Sequence, residues 1–194
     1  MQFTPEQERT LLNLARAVIV AALRGNLGYA PATEDPAFLQ PAGCFVSLHQ
    51  AGSHRLRGCV GRLEARSSLI AAVRDTALSV LDDPRFTDDP ITLPELPSLE
   101  IDISILSPLR IASGPLDFDL LHDGIYLAAG ERTGCFLPQV ARETGWTREQ
   151  LIDRLCMEKL GLPASTWRGP QAKLQVFSTC ILGPEPFLPK HLLP

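Results

Sequence analysis

Apolar and polar positions at the start of the chain predict an amphipathic helix. Between residues 11 and 23, leucine, valine, isoleucine and alanine recur at helical spacing. Thr4, Pro5 and Gln7 form an N-terminal capping pattern ahead of this segment, and Gly25 follows it as a stop signal. We therefore expect a core-facing helix, followed by a long irregular connection over residues 26–42, which contain three prolines.

The next segments predict a β-hairpin and a second helix. GCFVSLHQ (43–50) and HRLRGCV (54–60) are two β-like runs around a short turn that contains glycine. From Ser67 or Ser68 the sequence LIAAVRDTALSVLDD becomes helical, with one apolar face formed by Leu69, Val73, Ala77 and Val80. The segment HRLRGCVGRL (54–63) therefore lies at the end of a hairpin, just before a helix.

The second half of the chain alternates loops, strands and one capped helix. A loop is predicted over 82–98, a half-buried strand over 99–107, and a second hairpin from GIYLAAG and CFLPQV around a turn at Glu131–Gly134. Thr147 caps a predicted helix over 148–161, and AKLQVFSTCIL (172–182) is a final strand. Strands in hairpins and helices in separate blocks favour an α+β fold, with a mainly antiparallel sheet and flanking helices.

Composition limits the classes of function. The 194 residues suffice for one domain over 1–194, with a smaller lobe formed by segments within it. A formal net charge of -4 argues against a general nucleic-acid-binding protein. We see no signal peptide or membrane span, so we expect a cytoplasmic protein without membrane contact. Five scattered cysteines without a C-x-x-C pair predict free thiols and no metal site, and no cofactor is indicated.

The segment around Cys59 places arginines and a cysteine within a run that otherwise resembles a buried strand. Strand alternation places Leu56, Gly58 and Val60 on one face and Arg57, Cys59 and Gly61 on the other. If the first face is buried, Arg57 and Cys59 point away from the core with Cβ atoms roughly 7 Å apart. A guanidinium at that distance favours a reactive or ligand-binding thiol. Alternatively, Cys59 fills a tight spot while Arg57 pairs with Glu100 or Asp102.

Other residues near this segment offer candidate binding chemistry. Gly58 and Gly61 allow close approach of a ligand, and the arginines at 55, 57, 62 and 66, with Glu64 as the only acid, suit an anion or phosphate. Glu100 and Asp102 share a strand face as candidate acid–base or ligand-binding carboxylates; the alternative is a solvated face with arginine partners.

Two further groups of residues have structural interpretations. His49 and His54 flank the hairpin turn, where solvated side chains are the simpler interpretation. Asp83, Arg85 and Phe86 suggest a buried ion pair that pins the loop.

Together the motifs resemble the AMMECR domain family. LRGCVG (56–61), preceded by GCFVSLH, is similar to the family hexapeptide LRGCIG and the strand before it, with Val60 in place of isoleucine. DPRF (83–86), LEIDISILS, HDGIYL, FLPQVARETGW and CMEKLGLP follow in the family's order, although Glu158–Leu160 depart mildly from its pattern. The resemblance extends from about residue 5 to 188.

The resemblance implies two unequal lobes, with the hexapeptide lining a cleft between them. It also implies a component of a modification system that includes a Memo-type protein and a radical S-adenosylmethionine enzyme. Three hypotheses remain open: a module that binds a partner or small anionic ligand, an enzyme with Cys59 as nucleophile or thiol carrier, and a nucleic-acid-binding module. Because Cys59 lacks a clear histidine partner in the sequence, binding is favoured over catalysis.

Overall fold

A computed structural model describes residues 2–29, 33 and 35–188 of the chain. The helices are α1 (Pro5–Leu23), α2 (Pro36–Leu39), α3 (Leu69–Ser79), α4 (Pro138–Thr144) and α5 (Arg148–Leu155). The strands are β1 (Gly43–Gln50), β2 (Leu56–Arg62), β3 (Leu99–Leu106), β4 (Arg110–Ile111), β5 (Asp123–Ala129), β6 (Arg132–Phe136) and β7 (Ala172–Pro186). The chain divides into two compact units, one comprising Ser107–Thr179 and the other the residues before and after that segment.

The larger unit packs two helices on one face of an antiparallel sheet. Strand β1 lies between β2 and β3, and β3 pairs on its other side with β7. Helix α3 packs on α1 and β1, and the predicted apolar face of Leu69, Val73, Ala77 and Val80 is buried, as expected. The predicted capping box is present: the Thr4 hydroxyl accepts from the Gln7 amide, and the Gln7 side chain accepts from the Thr4 amide. These elements confirm the prediction for the first part of the chain.

The smaller unit is built on the second hairpin and α5. Strand β5 pairs with β6 on one side and β7 on the other, and β4 pairs with β7. Thr147 and Gln150 form the capping box of α5, which continues as a π-helical turn over Cys156–Leu160. Gly161 ends this turn in the left-handed region, at φ 63°. The core here includes Ile125, Leu127, Ile152, Leu155, Cys156 and Trp167.

Three sequence predictions need correction. The connection over 26–42 contains the short helix α2, which Asp35 caps and Pro36 begins. The second hairpin turns at residues 130–131, where Gly130 adopts φ 63°, so Gly134 lies within β6 rather than in the turn. The predicted strand CFLPQV ends at Phe136, because Pro138 starts α4.

The prediction of an α+β fold, with a mainly antiparallel sheet and flanking helices, is confirmed. The loop predicted over 82–98 is not fully irregular, since 3₁₀ turns form at Pro84–Phe86 and Leu93–Ser98. Across the described residues, every helix is too short or too polar to cross a membrane.

Candidate functional site

A β-bulge in β2 decides where Arg57 lies. Leu48 of β1 is opposite Gly58, but the next residue, His49, is opposite Leu56. Arg57 is therefore an extra residue without a partner on β1. An extra residue interrupts the strict alternation of side chains between the two faces of a strand. The alternation used to predict the orientation of Arg57 does not hold at this point of β2.

Arg57 is buried and forms an ion pair that is part of the fold. Its side chain is only 2% exposed, its Nε lies 2.5 Å from Glu95 Oε1, and its NH2 group donates to Glu95 Oε2 at 3.0 Å. A second acid, Asp89, contributes its carbonyl at 3.1 Å from NH2 and a carboxylate oxygen at 3.1 Å from NH1. The hydrogen bond to Glu95 raises the pKa of Arg57 and lowers that of Glu95. The expectation that Arg57 faces outward beside Cys59 is wrong, as is its suggested pairing with β3.

An aspartate and an arginine hold the backbone of Cys59. Asp83 Oδ2 accepts from the Cys59 amide at 2.9 Å, and the Arg85 guanidinium donates to the Cys59 carbonyl at 2.9 Å. Arg85 also binds the Asp83 carboxylate at 2.6 Å, and this hydrogen bond lowers the pKa of Asp83 to about 2. Asp83 is 3% exposed, so the predicted ion pair that pins the loop is confirmed. It also covers the edge of β2 at Cys59.

The two hexapeptide glycines are required by packing. A Cβ on Gly58 would lie 3.0 Å from the Val80 side chain and carbonyl. A Cβ on Gly61 would lie 2.3 Å from the Cys44 carbonyl and 2.4 Å from the Phe45 ring. The protein itself therefore fills the space that the sequence offered to a ligand.

Three of the four arginines in this basic cluster form ion pairs, two of them with acids from distant segments. Arg62 lies 3.7 Å from the Asp75 carboxylate on α3, and Arg66 pairs with Glu64. Counting charges along the hairpin, which identifies only Glu64 as an acid, misses Asp75 and the two acids bound to Arg57. Arg57, the main cation of the predicted anion site, already binds two acids of the protein and is not available to an anion.

The sheet face opposite to helices α1 and α3 carries a row of polar side chains, and we call it the polar face. Its members are Cys59 on β2, Ser47 and His49 on β1, and Glu100 and Asp102 on β3. On β1, Ser47 lies opposite Cys59 of the neighbouring strand β2 and opposite Asp102 of the other neighbouring strand, β3. Its hydroxyl donates to Cys59 Sγ at 3.5 Å. Three adjacent strands thus bring a thiol, a hydroxyl and a carboxylate into one row.

Glu100 and Asp102 have histidine partners. His49 Nδ1 lies 3.3 Å from Asp102 Oδ2, and His54 Nδ1 lies 3.4 Å from Glu100 Oε2. The Asp102 side chain is 14% exposed and that of Glu100 is 21% exposed. That the two carboxylates share a face is confirmed, whereas the suggested arginine partners are wrong. His49 is half-buried and belongs to the polar face rather than being simply solvated.

The environments of the thiols differ. Burial raises the pKa of Cys44 to about 11 and also raises the pKa values of Cys156 and Cys180. Cys59 is half-buried, its backbone is fixed on both sides, and Ser47 orients its sulfur. The polar face can therefore present a positioned thiol beside a carboxylate–histidine pair.

Sequence reasoning missed the contact of Ser47 with Cys59, the pairing of His49 with Asp102 and the contact of Asp83 with the Cys59 amide. The alternation of Phe45, Ser47 and His49 along GCFVSLHQ was the available signal, because it places a hydroxyl and an imidazole on one face of β1. No signal for the contact of Asp83 with the Cys59 amide exists before the loop is folded. Within the described residues, no group of three or more His, Cys, Asp or Glu side chains is arranged to hold a metal ion.

Fold and site together define an α+β protein with a positioned thiol and carboxylate–histidine pairs on one sheet face. The sequence model of the AMMECR1 family matches residues 12–182. The chain belongs to the AMMECR1 family, as the motif resemblance predicts.

Archaeal proteins and a solved archaeal structure are similar to this chain along nearly its whole length. A protein from Methanothermobacter thermautotrophicus is 35% identical over 193 residues, covering 93% of this chain and 97% of the relative. Protein MJ0810 from Methanocaldococcus jannaschii is 34% identical, covering 92% of this chain and 90% of the relative. The crystal structure of uncharacterized protein PH0010 from Pyrococcus horikoshii superposes with a TM-score of 0.84 at 30% identity, and 93% of each chain is covered.

Proposed function

We propose that this AMMECR1-family chain is a cytoplasmic binding component of a modification system with a Memo-type protein and a radical S-adenosylmethionine enzyme. In this proposal, the polar face around Cys59 receives the partner or its substrate. The association with these two proteins rests on the family resemblance. The choice of surface rests on one observation: the fold holds the Cys59 backbone with Asp83 and Arg85, while its thiol lies among the polar side chains.

The chemistry of the polar face favours one kind of occupant. Glu100 and Asp102 are hydrogen-bond acceptors there, and Arg57 donates to acids elsewhere. A group with hydrogen-bond donors or positive charge fits this surface better than the small anionic ligand expected from the sequence. A nucleic acid is disfavoured for the same reason and by the net charge of -4.

Catalysis through Cys59 is the second candidate function. Its supporting observation is that Ser47 binds the sulfur and Asp102 orients the His49 ring on the same face. A nucleophilic thiol needs an oriented base within reach of the reacting group. In this alternative, His49 exchanges a proton with a substrate held beside Cys59.

Binding is tested with the Memo-type protein and the radical S-adenosylmethionine enzyme from the same organism. Isothermal titration calorimetry is expected to detect a complex of the native chain with at least one of them. Asp102→Asn and Cys59→Ala should each weaken it about tenfold, because they remove a negative charge and a positioned thiol from the contact. Glu149→Gln, at an exposed glutamate on α5 of the smaller unit, is the control and should leave the Kd within twofold.

Two outcomes overturn the proposal: no complex with either protein, or a complex whose Kd is the same in both polar-face variants. A metabolite screen separates the two functions. Turnover that Cys59→Ala abolishes identifies an enzyme, while retained ligand binding without turnover in the native chain identifies a binding module.

A further inference from the structure

The smaller unit contains a cleft that the proposed function does not use. The cleft has a volume of about 490 Å³ and is bordered by β4, the residues after it, β5, β7 and the 3₁₀ turn Ala164–Arg168. Small-molecule sites in proteins span roughly 300 to 1,000 Å³. We call it the Trp167 cleft, after the aromatic residue in its lining. Its size is that of a site for a ligand of several rings or a short chain.

The lining of the Trp167 cleft is mainly apolar. Ile111, Leu127, Leu174 and Trp167 contribute to it, and small residues such as Gly114 leave space. Ile111, on the two-residue strand β4, is 77% exposed, although it is a large aliphatic side chain. Ligand sites are typically concave and lined mainly by apolar side chains, with a few polar groups that orient the ligand.

Both charged residues that line the cleft are cations. They are Arg168 and Lys173, and among the described residues no aspartate or glutamate joins them in the lining. Lys173 is exposed, and its ammonium forms no ion pair with any residue in the described part of the chain. This cation is available to a ligand in a chain whose net charge is negative.

Arg168 is held in place without being fully neutralised. Its guanidinium lies 3.9 Å from the centroid of the Trp167 ring, and its nearest acid, Asp153, is 3.6 Å away. The same Asp153 oxygen accepts from Trp167 Nε1 at 2.6 Å, which is the shorter contact. Arg168 is 48% exposed, so its guanidinium stacks on Trp167 and is still accessible to solvent.

We infer that the Trp167 cleft binds a small organic anion with a flat apolar body. The exposed Ile111 side chain and the apolar floor of the cleft would pack on the body, and Arg168 and Lys173 would bind its carboxylate, sulfonate or phosphate group. This inference is independent of the polar face and does not rest on the proposed function.

Two matched probes test the inference: 1-anilinonaphthalene-8-sulfonate, and N-phenyl-1-naphthylamine, which has the same rings without the sulfonate. Fluorescence titration of the native chain should show one sulfonate probe per chain. Lys173→Gln should weaken its binding about threefold to tenfold, and the double variant Arg168→Gln/Lys173→Gln by more than tenfold. Binding of the neutral probe should change less than twofold in both.

Lys159→Gln is the matched control, because this lysine also lies near an aromatic ring of the smaller unit but outside the cleft. It should leave binding of both probes unchanged, and thermal melting checks that each variant is folded. If the double variant does not fold, Lys173→Gln decides the test alone. The inference is overturned if the sulfonate probe does not bind, or if Lys173→Gln leaves its affinity unchanged.

Discussion

At the residue scale, Arg57 and Cys59 have separate tasks although they are two positions apart. Arg57 is buried and binds Glu95 and Asp89, whereas Cys59 lies on the polar face. Arg57→Met should lower the free energy of unfolding by about 2 to 3 kcal/mol, because the half-buried Glu95 carboxylate loses its partner. Arg62→Met, whose ion pair is longer and more exposed, should cost less than about 0.5 kcal/mol.

Urea unfolding measures both losses. Equal losses in Arg57→Met and Arg62→Met would show that the Arg57 ion pair does not support the fold.

A second test at this scale concerns a buried thiol. Cys156 is fully buried at the end of α5 and belongs to the core of the smaller unit. Cys156→Ser should lower the unfolding free energy by about 1 to 3 kcal/mol, because it buries a hydroxyl among apolar groups. Cys180→Ser, at a half-buried position, should cost less. Thermal melting of both variants decides the point, and an unchanged melting temperature for Cys156→Ser would contradict it.

At the scale of elements, β1 and β2 pair closely because Gly61 has no side chain. A Cβ there would meet the Cys44 carbonyl and the Phe45 ring on the neighbouring strand. Gly61→Ala should therefore destabilise the protein by about 2 kcal/mol or more, since backbone must shift to relieve the overlap. Gly114→Ala is the control, because a Cβ at that position would have nothing within 4 Å. Chemical denaturation should separate the variants; similar stabilities would contradict the close approach.

Elements that depend on a few neighbouring residues could be predicted from the sequence, whereas features that depend on strand register or on distant residues could not. The capping boxes of α1 and α5 and the alternation in β3 act over a few residues, so the sequence identifies these elements. The bulge at Arg57 depends on the register between β1 and β2, which no local motif specifies. The Arg57–Glu95 pair joins residues 38 positions apart. The candidate thiol was therefore predictable, whereas most of its surroundings were not.

At the scale of the whole molecule, the ionised Asp83 carboxylate, which holds the loop at Cys59, makes the free energy of unfolding depend on pH in acid. Its folded pKa of about 2 lies below the ordinary value near 3.8, so its contribution is present above about pH 4 and is lost as the pH falls towards 2. The contribution is about 2 kcal/mol. Asp83→Asn should lose it at pH 7, and the difference from the native chain should shrink below pH 4.

Urea unfolding at pH 7, 4 and 2.5 measures this dependence, with Asp88→Asn as an exposed control. A stability difference between native chain and Asp83→Asn that is the same at all three pH values would contradict the role of the Asp83 carboxylate.

The central claim is that the polar face presents Cys59 to a partner, and cysteine footprinting by mass spectrometry tests it most directly. The native chain is alkylated near neutral pH with and without the proposed partner, a Memo-type protein or a radical S-adenosylmethionine enzyme. Cys59 should be the fastest of the five thiols alone, ahead of the buried Cys44 and Cys156, and should be protected at least tenfold in the complex. A Cys59 as slow as Cys156, or one labelled equally fast in the complex, would contradict the claim.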